Sequence, residues 1–424
     1  KIAHIPKAVI KRLSLYTRFE TDLTDLFAAD PDHRLGREYW YETNREQPRP
    51  AVTLGTPPAG VPLWAFRQGE WQRATKRFVN YFIDHRQIEN GEFGGGLSDD
   101  GDLTNWWPGT AFTGATPEKI TASLTRHMEA FYDQGMFTNG LSTIQTDELH
   151  SYEEGIQVLG QVMALDFGVP IHLERAMETA RAIEKLTAVN AAGHRHIRSS
   201  YFSGTTIAEE GVWGWSKPSS YLILHPAIAL VDYNGAPRVR KWLVELADGL
   251  LAHRKADANG TFVLRASVRF ADDADIAAPS SERTWPLLWA AYRWTGDRKY
   301  LQPILDAGPR ALGNIAGNAL DIVGMRKEWG EALVKAAAAG NDPMAKHVAW
   351  QMTGDTKYLE ALYSEQVEAA SVRAFINSWG SVWTDRAQMN HAELQRSRLG
   401  GVALVRNAYV PGHVVSWWFA GTRD

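Results

Sequence analysis

His150 and Tyr152 stand two residues apart in QTDELHSYEEG, Gln145 to Gly155, with Asp147, Glu153 and Glu154 beside them. An imidazole and a phenol take up and return protons, and on an extended backbone this spacing puts both on one face. Asn105 and Arg386, far apart in the chain, are groups that neutralise a carboxylate by hydrogen bond or charge. These four residues match what β-elimination at a uronic acid requires. The carboxylate is neutralised so that the C5 proton becomes acidic, a base removes that proton, and an acid protonates the leaving oxygen. The bland alternative is that His150 or Ser151 caps a helix. Tyr221 and His225 form a second candidate pair, although His225 follows an apolar run and reads equally as a core histidine.

Aromatic residues are the second chemical signal. The chain has 17 Trp, and six of them, Trp106, Trp107, Trp213, Trp215, Trp379 and Trp383, sit in polar or Gly-containing segments rather than in apolar runs. Flat aromatic faces suit the C–H faces of sugars, and an indole N–H can bond a hydroxyl. The competing reading makes them amphipathic core anchors. In GEFGGGLSDDGDLTNWWPGTAFTG, Gly91 to Gly114, glycine and aspartate are too frequent for a buried strand and no helical period shows, so a functional loop is expected. Asp102 there is a candidate sugar contact. Asp99, Asp100 and Asp102 could also ligate Ca²⁺, or merely cap turns.

Hydrolysis is the rival chemistry, because glycosidases need paired carboxylates. Asp102, Glu153, Glu154, Glu209, Glu210 and Asp385 lie in the same segments. An acidic mouth repels a uronate polymer unless Arg386, Lys217 or a cation offsets it. A third reading is a glycan-binding protein that uses only the aromatics. No cofactor is required by any of the three.

Bulk composition removes other classes. The net charge of −4, with no Lys/Arg run, argues against nucleic acid and anionic membrane as partners. No apolar run reaches membrane-spanning length. The absence of cysteine excludes disulfides, thiolate metal sites and a Cys nucleophile. No P-loop, dinucleotide fingerprint, HExxH or nucleophile elbow is present. The chain opens at Lys1 rather than Met, which reads as a processed or trimmed product.

Helices must position these residues. Residues 1–69 are rich in Pro and charge and read as an irregular lead-in. From Glu70 the pattern turns helical, with Trp71, Phe78, Phe82 and Ile83 near one face. Further helices are expected over Thr116–Gln134, Glu153–Leu165, Ile171–Val189, Leu222–Asp232, Arg238–Ala256, Thr284–Trp294 and Lys299–Ala316, and again between Glu328 and Asn377. TGDxKYL occurs at Thr295 and again at Thr353. Each copy ends one helix at Gly and starts the next at an Asp cap. Repeated helical hairpins imply a solenoid or a closed ring, and the polar loops favour the ring. The expected fold is mainly α, an α/α toroid over residues 70–390. Alternating residues after Gly400 suggest the start of a β-sheet domain over 391–424.

TNWWPG, Thr104 to Gly109, resembles the Asn-Trp-Trp patch of the toroid polysaccharide lyases, typified by hyaluronate and chondroitin AC lyases. The resemblance covers a few residues plus the layout of hairpins followed by strands. It implies an α/α toroid with C-terminal sheets, acting on uronic-acid polymers through Asn, His, Tyr and Arg, with Trp106 and Trp107 guiding the chain. In that family the His-to-Tyr spacing is longer than between His150 and Tyr152. The substrate would be a polysaccharide or oligosaccharide, and the enzyme secreted or periplasmic.

Overall fold

Apolar residues recur at helical spacing from Leu63 onward, and there the chain forms helices, some buried along one face, as over Pro117–Asp133, and others buried nearly all round, as over Gln157–Leu165 and His225–Asn234. The computed structural model describes residues 7–43, 56–94, 96–104, 107–112, 114–166, 168–260, 262–276, 284–306, 334–335, 349 and 353–358. The helices are α1 (Lys7–Ala29), α2 (Arg34–Thr43), α3 (Leu63–His85), α4 (Leu97–Thr104), α5 (Trp107–Phe112), α6 (Pro117–Asp133), α7 (Glu148–Ser151), α8 (Gln157–Leu165), α9 (Pro170–Leu186), α10 (His225–Asn234), α11 (Pro237–Ala252), α12 (Trp285–Thr295) and α13 (Arg298–Asp306). A π-helical turn, Tyr152–Ile156, joins α7 to α8, and a 3₁₀ stretch, Pro218–Leu224, runs into α10.

The fold is mainly helical, a run of helices packed in chain order. Helices pack on their chain neighbours: α8 on α9, α9 on α10, α10 on α11, α11 on α12 and α12 on α13. Short turns account for this. Gly235 and Gly296 end their helices at φ 79° and 71°, and Pro237 sits in the first turn of α11. The main apolar core runs between the helices, with Trp107, Phe131, Trp242 and Tyr300 among its largest buried side chains, and Ala349 and Tyr358 form a second, small cluster. Phe78 and Phe82, expected on one face of α3, are both buried, with ring centroids 4.9 Å apart.

Small ladders decorate the helical frame. β1 (Phe137–Thr138) pairs with β2 (Leu141–Ser142), and β3 (Thr146–Asp147) with β6 (Tyr201–Phe202). β4 (Thr187–Val189) pairs with β5 (Arg195–Ile197), and β7 (Trp215–Ser216) with β10 (Val268–Arg269). β8 (Arg254–Ala256) pairs with β9 (Phe262–Leu264), and every pairing is antiparallel. Two expected helices are therefore shorter than their periodicity suggested, since α9 gives way to β4 and α11 to β8.

The TGDxKYL repeat is structural. Thr295 Oγ1 donates to Ala291 O at 2.7 Å, Asp297 N to Thr295 Oγ1 at 3.1 Å, and Lys299 N to Asp297 Oδ1 at 2.9 Å. In the second copy Thr353 Oγ1 donates to Ala349 O at 2.7 Å, Asp355 N to Thr353 Oγ1 at 3.1 Å, and Lys357 N to Asp355 Oδ1 at 3.0 Å. Gly296 and Gly354 adopt φ 71° and 72°.

Two expectations change. The lead-in is not wholly irregular, because α1 and α2 occupy much of it and pack on each other. The stretch after Gly91 is not one open loop, because α4 and α5 form within it. Burial of Leu97, Leu103, Trp107 and Ala111 supplies what the weak helix propensity of Gly and Asp lacks. The alternating segment after Gly400, and with it the β-sheet domain, lies outside the described residues.

Candidate functional site

Asp147 closes β3 and begins α7 in one residue. Its Oδ1 accepts the backbone N–H groups of Leu149 and His150 at 3.0 and 3.1 Å, so it is the N-cap. Its Oδ2 accepts the ring Nδ1–H of His150 at 2.7 Å. One carboxylate thus fixes both the backbone and the imidazole, and leaves Nε2 of His150 for another partner. The ring stays open to solvent, 58% exposed. Asp147's hydrogen bond raises the His150 pKa against the opposing effect of partial burial, and the Glu153 and Glu154 charges add to the rise. Partial burial works against ionisation of Asp147, yet its bonds from His150 and Leu149 hold its pKa below the usual carboxylate range. The cap of this helix is therefore Asp147, and not His150 or Ser151 as the capping alternative had it, and the His150 ring stays open to solvent.

The β3–β6 ladder places Asp147 opposite Tyr201. Tyr201 in turn stacks on Trp213, centroids 4.4 Å apart at 25°. Trp213 is 36% exposed, so the stack offers an aromatic face close to the Asp147 end of α7. Lys217 Nζ lies 5.8 Å from the Trp213 ring. Two residues on, Ser219 donates to Glu148 of α7. Segments 145–155 and 199–226 therefore meet. α4 joins them by packing on the π turn, and Gly101 lies so close to Gln157 that a Cβ there would fall 2.5 Å from Nε2.

Other candidates are placed differently. Tyr152 is buried, its ring edge-on to His225 at 5.5 Å, because the backbone there is a π-helical turn and not extended. It consequently does not share the exposed face of His150. Tyr221 and His225 are both buried core residues. Burial pushes the Tyr221 hydroxyl up to about 12 and His225 down to about 3, which keeps both neutral. Trp107 is wholly buried, edge-on to Phe93 at 5.1 Å, and presents no face to a sugar. Trp215 is half-buried, with the Arg269 guanidinium 5.3 Å above its ring. Asp100 is buried and accepts the Phe93 N–H at 2.6 Å, on helical backbone shared with Asp99 and Asp102 instead of the open cation loop expected. Asn105, Trp106, Trp379, Trp383, Asp385 and Arg386 lie outside the described residues.

One cluster had no counterpart in the sequence reading. His194, His196, His253 and Asp273 each bring one ligand atom to within 4.8 Å of the others. The available signal was His-x-His on a strand edge, a spacing that keeps two rings on one side. A separate cavity of about 680 Å³ runs along α6, bordered by Glu118, Thr121, Arg126, Glu129 and Asp166. None of the expected site residues lines it.

No family model and no curated protein matches the sequence. Among solved structures, the chain is similar to a cellobiose 2-epimerase from Bacillus thermoamylovorans B4167, at 14% identity and TM-score 0.43, covering 74% of this chain and 87% of that one. It is similar to a family 76 glycoside hydrolase from a bovine Bacteroides thetaiotaomicron strain, at 10% identity and TM-score 0.48, covering 78% and 77%. An unsaturated glucuronyl hydrolase specific for heparin is also similar, at 10% identity and TM-score 0.43, covering 78% and 96%. Similarity at this level decides no reaction.

Proposed function

We propose that the chain is a carbohydrate-active enzyme and that it cleaves a uronic-acid-containing polysaccharide by β-elimination at His150. One observation carries this reading: an exposed imidazole, oriented by Asp147 and joined through the β3–β6 ladder to the Tyr201–Trp213 stack. A sugar ring resting on Trp213 would bring its C5–H toward Nε2 of His150. The C5–H bond breaks and the proton passes to Nε2. Its electron pair forms the C4–C5 double bond as the C4–O bond breaks. The imidazolium, stabilised by Asp147, then returns the proton to the leaving oxygen, so one residue serves as base and acid. Tyr152 has no part in this step, since its ring is buried.

Lys217, its Nζ 5.8 Å from the Trp213 ring, would face the substrate carboxylate, with Arg386 a further candidate for that charge. The step uses no cofactor. Ca²⁺ near Asp99 and Asp102 would serve only to offset charge, and chelation during the assay tests for it. Among the described residues no helix is long and apolar enough to cross a membrane, and a polymeric glycan would be met outside the cytoplasm, by a secreted or periplasmic enzyme.

The test is incubation with a panel of uronic polysaccharides, following ultraviolet absorbance of the unsaturated uronate together with reducing ends. Both signals rise for a lyase. Reducing ends alone would replace this reading by hydrolysis through carboxylates such as Glu153 and Glu154, and neither signal would leave a glycan-binding surface.

A further inference from the structure

The histidine cluster ties together three stretches that are remote in sequence. His194 lies just before β5 and His196 at its centre, His253 caps the C-terminus of α11, and Asp273 lies in the turn after β10. His196 and His253 are buried, and the Asp273 side chain is mostly so.

Three distances define the geometry. His196 Nε2 and His253 Nε2 are 3.3 Å apart, His196 Nε2 and Asp273 Oδ1 are 3.3 Å apart, and His253 Nε2 and Asp273 Oδ1 are 3.4 Å apart. Tetrahedral angles at metal–ligand distances of about 2.0–2.1 Å require ligand separations of about 3.3 Å, so these atoms match one face of a zinc tetrahedron. The proton count agrees. Asp275 Oδ2 accepts the Nδ1–H of His253 at 3.0 Å, which leaves a lone pair on His253 Nε2. That lone pair and the Asp273 oxygen converge on His196 Nε2. A single proton there would have to be shared in two directions at 3.3 Å, longer than the usual N–H···O distance of about 2.9–3.0 Å.

Supporting bonds hold the ligands in place. Asn190 Nδ2 donates to Asp273 Oδ1 at 2.6 Å, while Asn190 Oδ1 accepts the Ala192 and His194 amides, which fixes the orientation of its side chain. His194 Nδ1 is 2.8 Å from Asp273 Oδ2. Asp275 is itself paired with Lys255 and Arg265. A carboxylate behind a ligating histidine is the usual outer support of a zinc site. Asp273 adopts φ 59°, a left-handed backbone uncommon outside Gly, in the residue that carries the shared oxygen.

The geometry points to a structural divalent-cation site of zinc type, with His196 Nε2, His253 Nε2 and Asp273 Oδ1 as ligands and His194 completing the set. Four protein ligands make a closed site whose effect is to clamp the hairpin, the end of α11 and the Asp273 turn. It is independent of the chemistry assigned to His150.

Chain purified without a histidine tag is stripped with chelator, then titrated with zinc sulfate and analysed for metal after gel filtration. One zinc per chain and a raised melting temperature are expected, with no comparable uptake of Mg²⁺. Cobalt(II) in place of zinc should give the strong visible absorption of a four-coordinate site. Asp273→Asn and His253→Gln should each weaken zinc by more than about a hundredfold, and Asp275→Asn, which only positions His253, by about ten- to a hundredfold. Wild-type chain that retains no zinc overturns the proposal, as does undiminished binding in both ligand variants. Should those variants fail to fold, the cobalt spectrum of the wild-type chain decides, and the absence of a four-coordinate band counts against the site.

Discussion

Asp147 grips His150 at two points, accepting its backbone N–H at 3.1 Å and its ring Nδ1–H at 2.7 Å. The same carboxylate sets where the helix begins and which way the imidazole faces. It also raises the His150 pKa. A base works only when neutral, so the rate should climb with pH through that raised pKa and level off above it.

Asp147→Asn keeps a good capping residue but removes the charge. The rising limb of the rate profile should move to lower pH, toward an ordinary histidine, and the plateau should fall about a hundredfold. Initial rates of unsaturated product against pH check both effects. A profile that stays in place would detach Asp147 from the titrating group.

Trp213→Ala removes the exposed half of the stack with Tyr201. KM for a polymeric substrate should rise about tenfold, with kcat changed less, because the ring contributes to binding more than to proton transfer. Steady-state kinetics on one polysaccharide measure the split.

Gly160 is where α8 meets His225. A Cβ at that position would lie 2.0 Å from His225 Nε2. Gly160→Ala should cost about 1–3 kcal/mol, despite the better helix propensity of alanine. Denaturant unfolding gives the value, and a neutral or stabilising result would mean that the helix and the ring separate easily.

His127 and His225 are wholly buried, and burial lowers their pKa values to about 4 and about 3. Both are neutral in the folded chain, whereas unfolded histidine binds a proton below about 6.5. Their effect on stability is absent above that pH and grows as pH falls toward 4. Each ring removes up to about 1.4 kcal/mol per pH unit in that window. Thermal unfolding from pH 7 to 4 should show the decline, and His127→Gln should flatten it.

Asp297 caps α13 through the Lys299 N–H. Asp297→Ala should cost about 1 kcal/mol, read as a lower melting temperature.

Helices with a clean apolar period were legible in the sequence, as were the repeated helix ends, because both are local. α6 lies within a residue of its expected bounds at either end. α4 was not legible, since Gly and Asp disfavour helix and the compensating burial of Leu97, Asp100 and Leu103 comes from distant residues. His150 stood out by type and neighbours. The burial of Tyr152 did not, because a π turn shifts which side chains face inward and leaves no mark in spacing. The histidine cluster was invisible for a related reason: His196, His253 and Asp273 are brought together only when α11 packs on β5.

The paired TGDxKYL helix ends bear on how such a chain can grow. Each stop and restart repeats the same bonds among its own threonine and aspartate, although at the first copy α11 adds contacts through Arg240, which donates to the Trp294 carbonyl, and Asp248, which accepts the Tyr300 hydroxyl. A boundary encoded that locally is portable: duplicating the segment carries its punctuation along, and the new hairpin needs only an oily flank to lean on. Hairpin arrays of this kind can lengthen by copying units without redrawing their corners.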